Sequence, residues 1–358
     1  MFLSIREFVQ QHEKWFSWGA FLTGFTWDNF TLDRIDQLLD NVILIGLLTV
    51  ATIGIVLWNR LEEKKETGTR LTLIQPFVPL LFQFALGGLF SGLLVFYSRS
   101  GTIVSAWPFL LLLAALLIGN EFFRHRYQGV TFQLSIYYIA LLSLCVLLLP
   151  VFLNQMGPGV FLLSSALSLG LIVAVVELLK RFAPTRVTRA YRSTIVAVVG
   201  ICLAFQGLYF TNILPPIPLS LKFIGAFHDV ENTGAGYRVT YEKPAWWEFW
   251  RESDTVIHWQ EGEALHCFAS VFAPTDLTTR IQHRWQYQTD AGWHDRGTIP
   301  YRIIGGRDGG YRGYTFAENV ADGRWRCRVE TDRGQLIGLR TFRVEVGEQP
   351  RELVSELR

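Results

Sequence analysis

Over the first two thirds of the chain, apolar residues run in long uninterrupted stretches; over the last third they alternate with polar ones. Six stretches are apolar for about 18 residues or more, the length at which an α-helix spans a hydrocarbon core. They are Asn41–Trp58, Pro76–Tyr97, Thr102–Gly119, Val130–Leu153, Gly157–Leu178 and Ser193–Ile213. Buried helices of a water-soluble protein would not crowd together this densely, so the pattern predicts a multi-span α-helical membrane domain. Only Asn154 to Met156 separate the fourth and fifth stretches, which therefore form a tight hairpin. Ahead of them, Trp15, Phe16, Trp18, Phe21, Phe25 and Trp27 precede Asp28, Asp33, Asp36 and Asp40. An acidic, aromatic start is unlike a cleavable signal peptide and suits the headgroup level, either as interfacial helix or as a short membrane-dipping segment.

Pro215, Pro216 and Pro218 end the last apolar stretch and impose an extended exit. Beyond them the period changes to two. Ile281, His283, Trp285 and Tyr287 share one face while Arg280, Gln282, Arg284, Gln286 and Gln288 share the other. Trp325, Cys327 and Val329 alternate with Arg324, Arg326, Arg328 and Glu330, and Phe342, Val344 and Val346 with Thr341, Arg343 and Glu345. These are half-buried antiparallel strands. Further strands are predicted at Tyr237–Glu242, Thr255–Gln260, Ala264–Phe272, Thr298–Ile304, Tyr311–Phe316 and Gln335–Leu339, with turns at Asn232–Gly236, Gly305–Gly310, Asp322–Gly323 and Asp332–Gly334. Short strands and Gly-rich turns make an all-β soluble domain, an antiparallel β-sandwich of immunoglobulin-like size. Ala245–Asp254 reads as a short helix on the membrane or on the sandwich edge.

The chain thus divides into an N-terminal interfacial segment (1–37), a six-helix transmembrane domain (38–213), a Pro-rich linker (214–222), a β-sandwich domain (223–346) and a polar tail (347–358). Composition agrees: 50% of residues are hydrophobic and 18% charged. Residues 1–222 hold 16 Lys/Arg and 11 Asp/Glu, and residues 223–358 hold 17 and 20, which is +5 and −3. No segment is dense enough in positive charge for nucleic-acid binding. Orientation follows from the loops. Arg60, Lys64, Lys65, Arg70, Arg124, Arg126, Lys180, Arg181, Arg186, Arg189 and Arg192 lie on one side, against Arg6, Lys14, Arg34, Arg99 and Lys222 on the other. That 11-to-5 asymmetry puts both termini outside the cytoplasm.

Candidate chemistry is sparse. The spans have no central charge; Gln83, Gln133 and Gln206 suit interhelical hydrogen bonds, and Gly88 and Gly92 suit close helix packing. His258, His266, His283 and His294 cluster in sequence with Cys267, but without a metal-site spacing, and His283 reads as a hydrogen-bonded core residue. His294 and Asp295 are adjacent on a strand and point to opposite faces. Gly305–Gly310 is glycine-rich but precedes no helix, and reads as a hairpin turn. No catalytic, cofactor or metal residue is assigned. Trp246, Trp247 and Trp250 are the candidates for membrane or partner contact, whereas Trp285 and Trp325 fill the core. Cys145 and Cys202 pack within spans. Strand parity turns Cys267 and Cys327 inward, where they would bond if their Cα atoms fell within about 7 Å. Parity is silent on height along the core, and two buried thiols are the preferred reading.

His283-Arg284-Trp285, Tyr311-Arg312-Gly313-Tyr314-Thr315, Gly323-Arg324-Trp325-Arg326, Gly334-Gln335-Leu336 and Phe342-Arg343-Val344 together resemble a bacterial domain-of-unknown-function family, number 2914, over roughly residues 264–346. The family's domain commonly ends multi-span membrane proteins, and the Pro-rich exit is similar to theirs. Cys327 departs from the pattern, which usually has an aliphatic residue there. The resemblance implies a bacterial envelope protein in the inner membrane and no established activity. The expectation is therefore a membrane-anchored extracytoplasmic interaction or sensing module, with the lipid bilayer and an envelope protein or glycan as partners and no nucleic acid. An enzyme or transporter with a site between helices and sandwich is the rival reading.

Overall fold

The structure, a computed structural model, describes residues 23, 25–32, 34–64, 77–122, 127–248, 250–347 and 352–358. Most of the aromatic N-terminal segment, including Trp15, Phe16, Trp18 and Phe21, lies outside the described residues; residues 25–31 are helical. The chain divides into two compact units. One comprises the described residues of 1–97 with 108–149 and 158–207; the other comprises 98–107, 150–157 and 208–358.

Six helices carry the apolar stretches: α1 (Leu38–Glu63), α2 (Val78–Arg99), α3 (Ile103–Phe122), α4 (Val130–Leu153), α5 (Pro158–Phe182) and α6 (Pro184–Phe210). Five of them are long and apolar enough to cross a membrane; α3 is a shorter apolar helix over Val104–Asn120 with Pro108 inside it. Gly88 and Gly92 let α1 and α2 approach. A Cβ at Gly88 would lie 2.9 Å from a Leu47 methyl, and one at Gly92 2.7 Å from a Leu44 methyl. Side-chain amides knit the helices together. Asn59 Nδ2 donates to Gln133 Oε1 at 2.6 Å, Gln206 Nε2 to Ser165 Oγ at 2.9 Å, and Asn120 Nδ2 to the Gln83 carbonyl at 2.8 Å. Gln83 takes part through its backbone; its own Nε2 meets no acceptor among the described residues. The Glu63 carboxylate accepts the Thr185 and Arg186 amides at 3.0 and 3.2 Å, satisfying the open N-terminal turn of α6.

The second unit holds eleven strands among the described residues. β1 (Ser220–Phe227), β5 (Leu265–Phe272) and β8 (Tyr311–Ala317) form one sheet in the order β1-β5-β8. β4 (Val256–Trp259), β6 (Thr278–Thr289), β7 (Gly292–Ile304), β9 (Gly323–Thr331) and β10 (Leu336–Val346) form a second, in the order β4-β10-β9-β6-β7. β2 (Asp229–Asn232), β3 (Tyr237–Glu242) and β11 (Leu353–Leu357) form a third, β11-β3-β2. All pairings are antiparallel except β4 with β10. The first two sheets enclose the main core, where Ala226, Ile257, Cys267, Trp285, Trp325, Cys327, Phe342 and Val344 pack together. Phe268, one residue from Cys267, points the opposite way and packs with Phe227, Val230 and Val239 beneath the third sheet.

Several expectations need correction. The described residues of 245–254 are not a helix but successive turns, closed by Glu248 N to Ala245 O and Arg251 N to Glu248 O, both 2.8 Å. Those i to i+3 bonds follow Pro244, which cannot donate to continue a ladder. Gly305–Gly310 is not a hairpin: it carries the chain from β7 in one sheet to β8 in the other. The passage is tight, since a Cβ at Gly305 would lie 1.7 Å from the Pro274 carbonyl oxygen. Residues read as a polar tail supply β11, and β1 begins inside the segment read as linker.

Cys267 and Cys327 are joined by a disulfide, with S–S 2.13 Å and Cα–Cα 6.5 Å, although two buried thiols is the reading that parity alone prefers. It closes a loop of 60 residues, for which the chain-entropy model gives about 4 kcal/mol. Labelling of denatured, unreduced protein should modify only Cys145 and Cys202; four labelled cysteines would exclude the bond. Gly305→Ala should cost more than about 2 kcal/mol in thermal unfolding of the β region, because backbone must move to admit the methyl. Gly297→Ala, whose Cβ meets nothing within 4 Å, should leave the transition in place.

Candidate functional site

The most exposed aromatic cluster of the β region lies between β3 and β4. Trp246, Trp247 and Trp250 are 87%, 57% and 67% exposed, figures that set them apart from Trp285 and Trp325 at 1% and 2%. The Trp246 and Trp247 rings meet edge to face, with centroids 5.5 Å apart. Tryptophans are held in this position because the base of the loop is fixed by charge. Arg251 bridges Glu248 at 3.1 Å and Asp254 at 3.0 Å, and Asp254 Oδ1 also accepts the Glu242 amide at 3.1 Å. Asp254 N donates to the Ala226 carbonyl at 3.1 Å, tying the loop's end to β1. Gly225 is needed there, since a Cβ on it would lie 2.7 Å from that of Ser253.

Beneath the loop, Glu242 is 1% exposed and stands between two histidines. His258 Nδ1 lies 2.8 and 2.9 Å from its two oxygens, His258 N donates to Oε1 at 2.9 Å, and His228 Nε2 lies 3.2 Å away. The outer nitrogens of the two rings face Glu345 at 3.5 Å and Glu263 at 3.7 Å. Burial alone would raise the Glu242 pKa, but bonds from His228 and from the His258 amide and ring override it and hold the carboxyl at about 2. Burial likewise pushes the His228 imidazole down, and its bond to Glu242 with the charges of Asp254, Glu242 and Glu263 more than restores it, leaving it above the usual histidine value. Asp254 goes the other way. Burial dominates and lifts its carboxyl to about 6, against the pull of His228, the Glu242 amide and Arg251. Its Oδ2 is buried and meets no hydrogen-bond donor among the described residues, as a largely desolvated carboxyl would. The cluster holds acid and base groups side by side but no nucleophile, and its chemistry is that of a charged clamp on the loop.

The histidines that sequence reading grouped are dispersed. His258 sits in the clamp, and His266 Nδ1 meets the His228 carbonyl at 3.0 Å. His294 is exposed on β7. His283 is in the core, between Thr315 Oγ1 at 3.0 Å and Tyr301 OH at 2.8 Å, and burial drives its pKa to about 3. Trp285 Nε1 donates to the same Thr315 oxygen at 3.0 Å. A Cβ on Gly313 would lie 2.7 Å from the Tyr301 ring, so the Tyr311–Thr315 motif supplies both that close approach and the shared acceptor. Cys267, His283 and Cys327 bring potential ligand atoms within 4.8 Å of one another. Disulfide sulfurs offer no thiolate, and both His283 nitrogens are engaged, so the trio does not fit a metal.

Trp325 fills the core beside Cys327, whereas the motif arginines Arg284 and Arg326 lie on the outward rows. Arg284 Nε lies 3.2 Å and Arg328 Nε 2.5 Å from the carboxylate of Glu330, which is 1% exposed. Arg326 donates to Gln286 Oε1 at 2.6 Å and stacks over Trp293 at 4.1 Å. Sequence reading did not single out Glu242, His228, Asp254 or Glu330. Only Glu330 had a signal, a carboxylate ending an otherwise arginine-bearing face.

The family described as "Protein of unknown function (DUF2914)" matches residues 278–344, which run from β6 into β10 and include His283, Arg284, Trp285, Trp325 and Arg326. No curated protein matches the chain. Similar solved structures include an immunoglobulin-like protein from Pseudomonas aeruginosa, 14% identical over 34% of this chain and 97% of that one, with a TM-score of 0.19. A β-glucosidase from Listeria innocua is 12% identical over 33% of this chain and 17% of that one, with a TM-score of 0.19. An alkylpurine DNA glycosylase from Pseudomonas fluorescens is 9% identical over 87% and 99%, with a TM-score of 0.22. Scores this low bear on neither fold nor function.

The clamp makes stability depend on pH in two directions. Glu242 has a depressed pKa, so its contribution is present above pH 4.5 and is lost as pH falls toward 2. Asp254 and His228 have raised pKa values, so theirs are present at low pH and are lost as pH rises, Asp254's between about 4 and about 6 and His228's above 6.5. The melting temperature of the β region should peak at about pH 4, where the Glu242 gain and the Asp254 loss balance, and fall on both sides. Asp254→Asn should flatten the fall between pH 4 and 6; an unchanged profile, followed by tryptophan fluorescence of the detergent-solubilised chain, would refute the assignment.

Proposed function

We propose that the protein is a membrane-anchored interaction or sensing module of the bacterial inner membrane. In this reading its β region lies outside the cytoplasm and its Trp246–Trp250 loop contacts the lipid surface. The observation that carries it is the exposure of Trp246, Trp247 and Trp250 on a loop whose base is locked by buried ion pairs. Indole rings favour the headgroup layer, with an apolar body and a polar N–H. Holding them rigidly outward costs the isolated domain solubility, and an apolar contact offsets that.

The location draws on charge and on chain connection. The loop arginines and lysines stand 11 to 5 in favour of one side. Only residues 100–102 separate α2 from α3, so a spanning α2 must be followed at once by a returning α3. At about 1.5 Å per residue, the 20 residues of α3 reach roughly 30 Å, a hydrocarbon core's thickness. Six crossings leave both termini on the same, outer side. A disulfide between Cys267 and Cys327 suits that compartment.

Alkaline phosphatase fused after Arg358 should be active and a green fluorescent protein fusion there dark; the opposite pair of results would overturn the orientation. For the loop, a nitroxide at Trp247→Cys, in a chain with Cys145 and Cys202 changed to serine and reconstituted in nanodiscs, should relax faster with oxygen than with a soluble nickel chelate. The reverse preference would remove the lipid contact.

A further inference from the structure

The outward face of the sheet β4-β10-β9-β6-β7 carries arginines in a register that works against the fold. Arg280 on β6 stands directly opposite Arg302 on β7. Arg284 on β6 is opposite Arg328 on β9, and Arg324 on β9 is opposite Arg343 on β10. Like charges directly across a ladder repel. Tyr287 pairs with Trp325, which puts Arg324 level with Gln288. The three pairs therefore fall at β6 positions 280, 284 and 288, each shifted one strand from the last. Each step runs about 13 Å along the strands and about 5 Å across them. The result is a diagonal of paired guanidinium groups over a region that is net acidic, with 17 Lys/Arg against 20 Asp/Glu in residues 223–358.

Only the central pair is neutralised within the fold, by Glu330 at 3.2 and 2.5 Å. Arg343 reaches Glu345 at 3.3 Å, but the guanidinium is exposed, where such a bridge is weak, and the half-buried Glu345 also faces His258. Arg280, Arg302 and Arg324 are exposed and make no ion pair among the described residues. Between the pairs, Gln282, Gln286, Thr298 and Thr341 lie on the same face, level with Glu330, Arg326 and Arg328. Gln282, Thr298 and Thr341 offer both donors and acceptors there, whereas the buried Gln286 amide already joins Asp295 and Arg326.

We infer that this face binds an acidic polysaccharide, its carboxylate or phosphate groups taken by the arginine pairs and its hydroxyls by Gln282, Thr298 and Thr341 between them. A guanidinium pair accepts such an anion by bidentate hydrogen bonds that a lone surface charge does not provide. A repeating anion on a chain matches a repeating cation along a diagonal. A bilayer is less suited, because this face lacks the exposed aromatic residues that the Trp246–Trp250 loop has. The inference rests on the reading of the β region as an extracytoplasmic interaction module. It is tested on the purified chain, so its failure leaves the topology fusions untouched.

Polygalacturonate is the probe, titrated calorimetrically into the full chain in an uncharged detergent, with neutral dextran beside it. Polygalacturonate should bind with an affinity that falls steeply with salt, and dextran should not bind. Arg280→Gln with Arg302→Gln, and separately Arg324→Gln with Arg343→Gln, should each weaken binding about tenfold. Both should leave the melting temperature unchanged or slightly higher, since they relieve repulsion. Arg238→Gln, an exposed site on β3, should bind like the parent. Absence of polygalacturonate binding at low salt would overturn the inference. So would equal affinity in the glutamine variants, or binding only to phosphatidylglycerol vesicles.

Discussion

The register of β6 against β9 fixes most of what the β region can do. Pairing Trp285 with Cys327, His283 with Val329 and Ile281 with Thr331 turns one row inward to the core and the alternate row outward. A slip of one residue would exchange the two rows, burying Arg284, Arg326 and Arg328 and exposing Trp285 and Cys327. Nothing in the core could repay that, because each buried guanidinium would need a partner of its own. The same register that brings Cys327 to Cys267 across the core also sets Arg328 opposite Arg284. Core closure and outward charge are consequences of one pairing.

Glu330 shows how the fold accommodates the repulsion that the pairing creates. It ends the outward row of β9 at 1% exposure, and two arginines reach its carboxylate. Neither contact is aligned as a hydrogen bond, so its value is charge balance rather than directional bonding. The other buried carboxylate, Glu242, works differently. It accepts aligned bonds from two histidines, and those bonds keep it ionised at about pH 2 and above. Its neighbour Asp254 receives fewer donors, and desolvation lifts its carboxyl to about 6. Two carboxyls joined through one amide bond thus respond oppositely to pH, which ties the anchoring of the tryptophan loop to the acidity around it.

Much of this was legible in sequence, and what was not has a physical reason. Period-two alternation found β6, β9 and β10, because one buried face makes inward residues apolar and outward ones polar. β2 and β11 have four and five residues, too few for alternation to stand out, and both belong to a small third sheet that buries little. The short helix expected over the aromatic stretch Ala245–Asp254 gives way to turns, shaped by Pro244 and the Arg251–Asp254 tie. The Glu242 clamp was hidden because its members come from β2's flank, β3 and β4, elements separated in sequence and joined only by packing. His228 and Glu242 carry no spacing signal, since two histidines around a carboxylate need no fixed interval when each arrives on a different strand.

The arginine face marks the limit of charge counting. Net charge averages over all directions, so an acidic total of −3 for residues 223–358 is compatible with a strongly positive surface if strand parity sorts the charges. Alternation alone could place Arg280, Arg284, Arg324, Arg328 and Arg343 on outward rows. It could not say which rows were neighbours. That depends on the order β10-β9-β6-β7, which the sequence of elements does not reveal: β6 and β9 are separated by β7 and by β8, which departs to another sheet. The tight crossing at Gly305, against the Pro274 carbonyl, removes β8 from the ladder and leaves β9 free to pair with β6. The opposition of arginines across β6, β9 and β10 is therefore a product of topology.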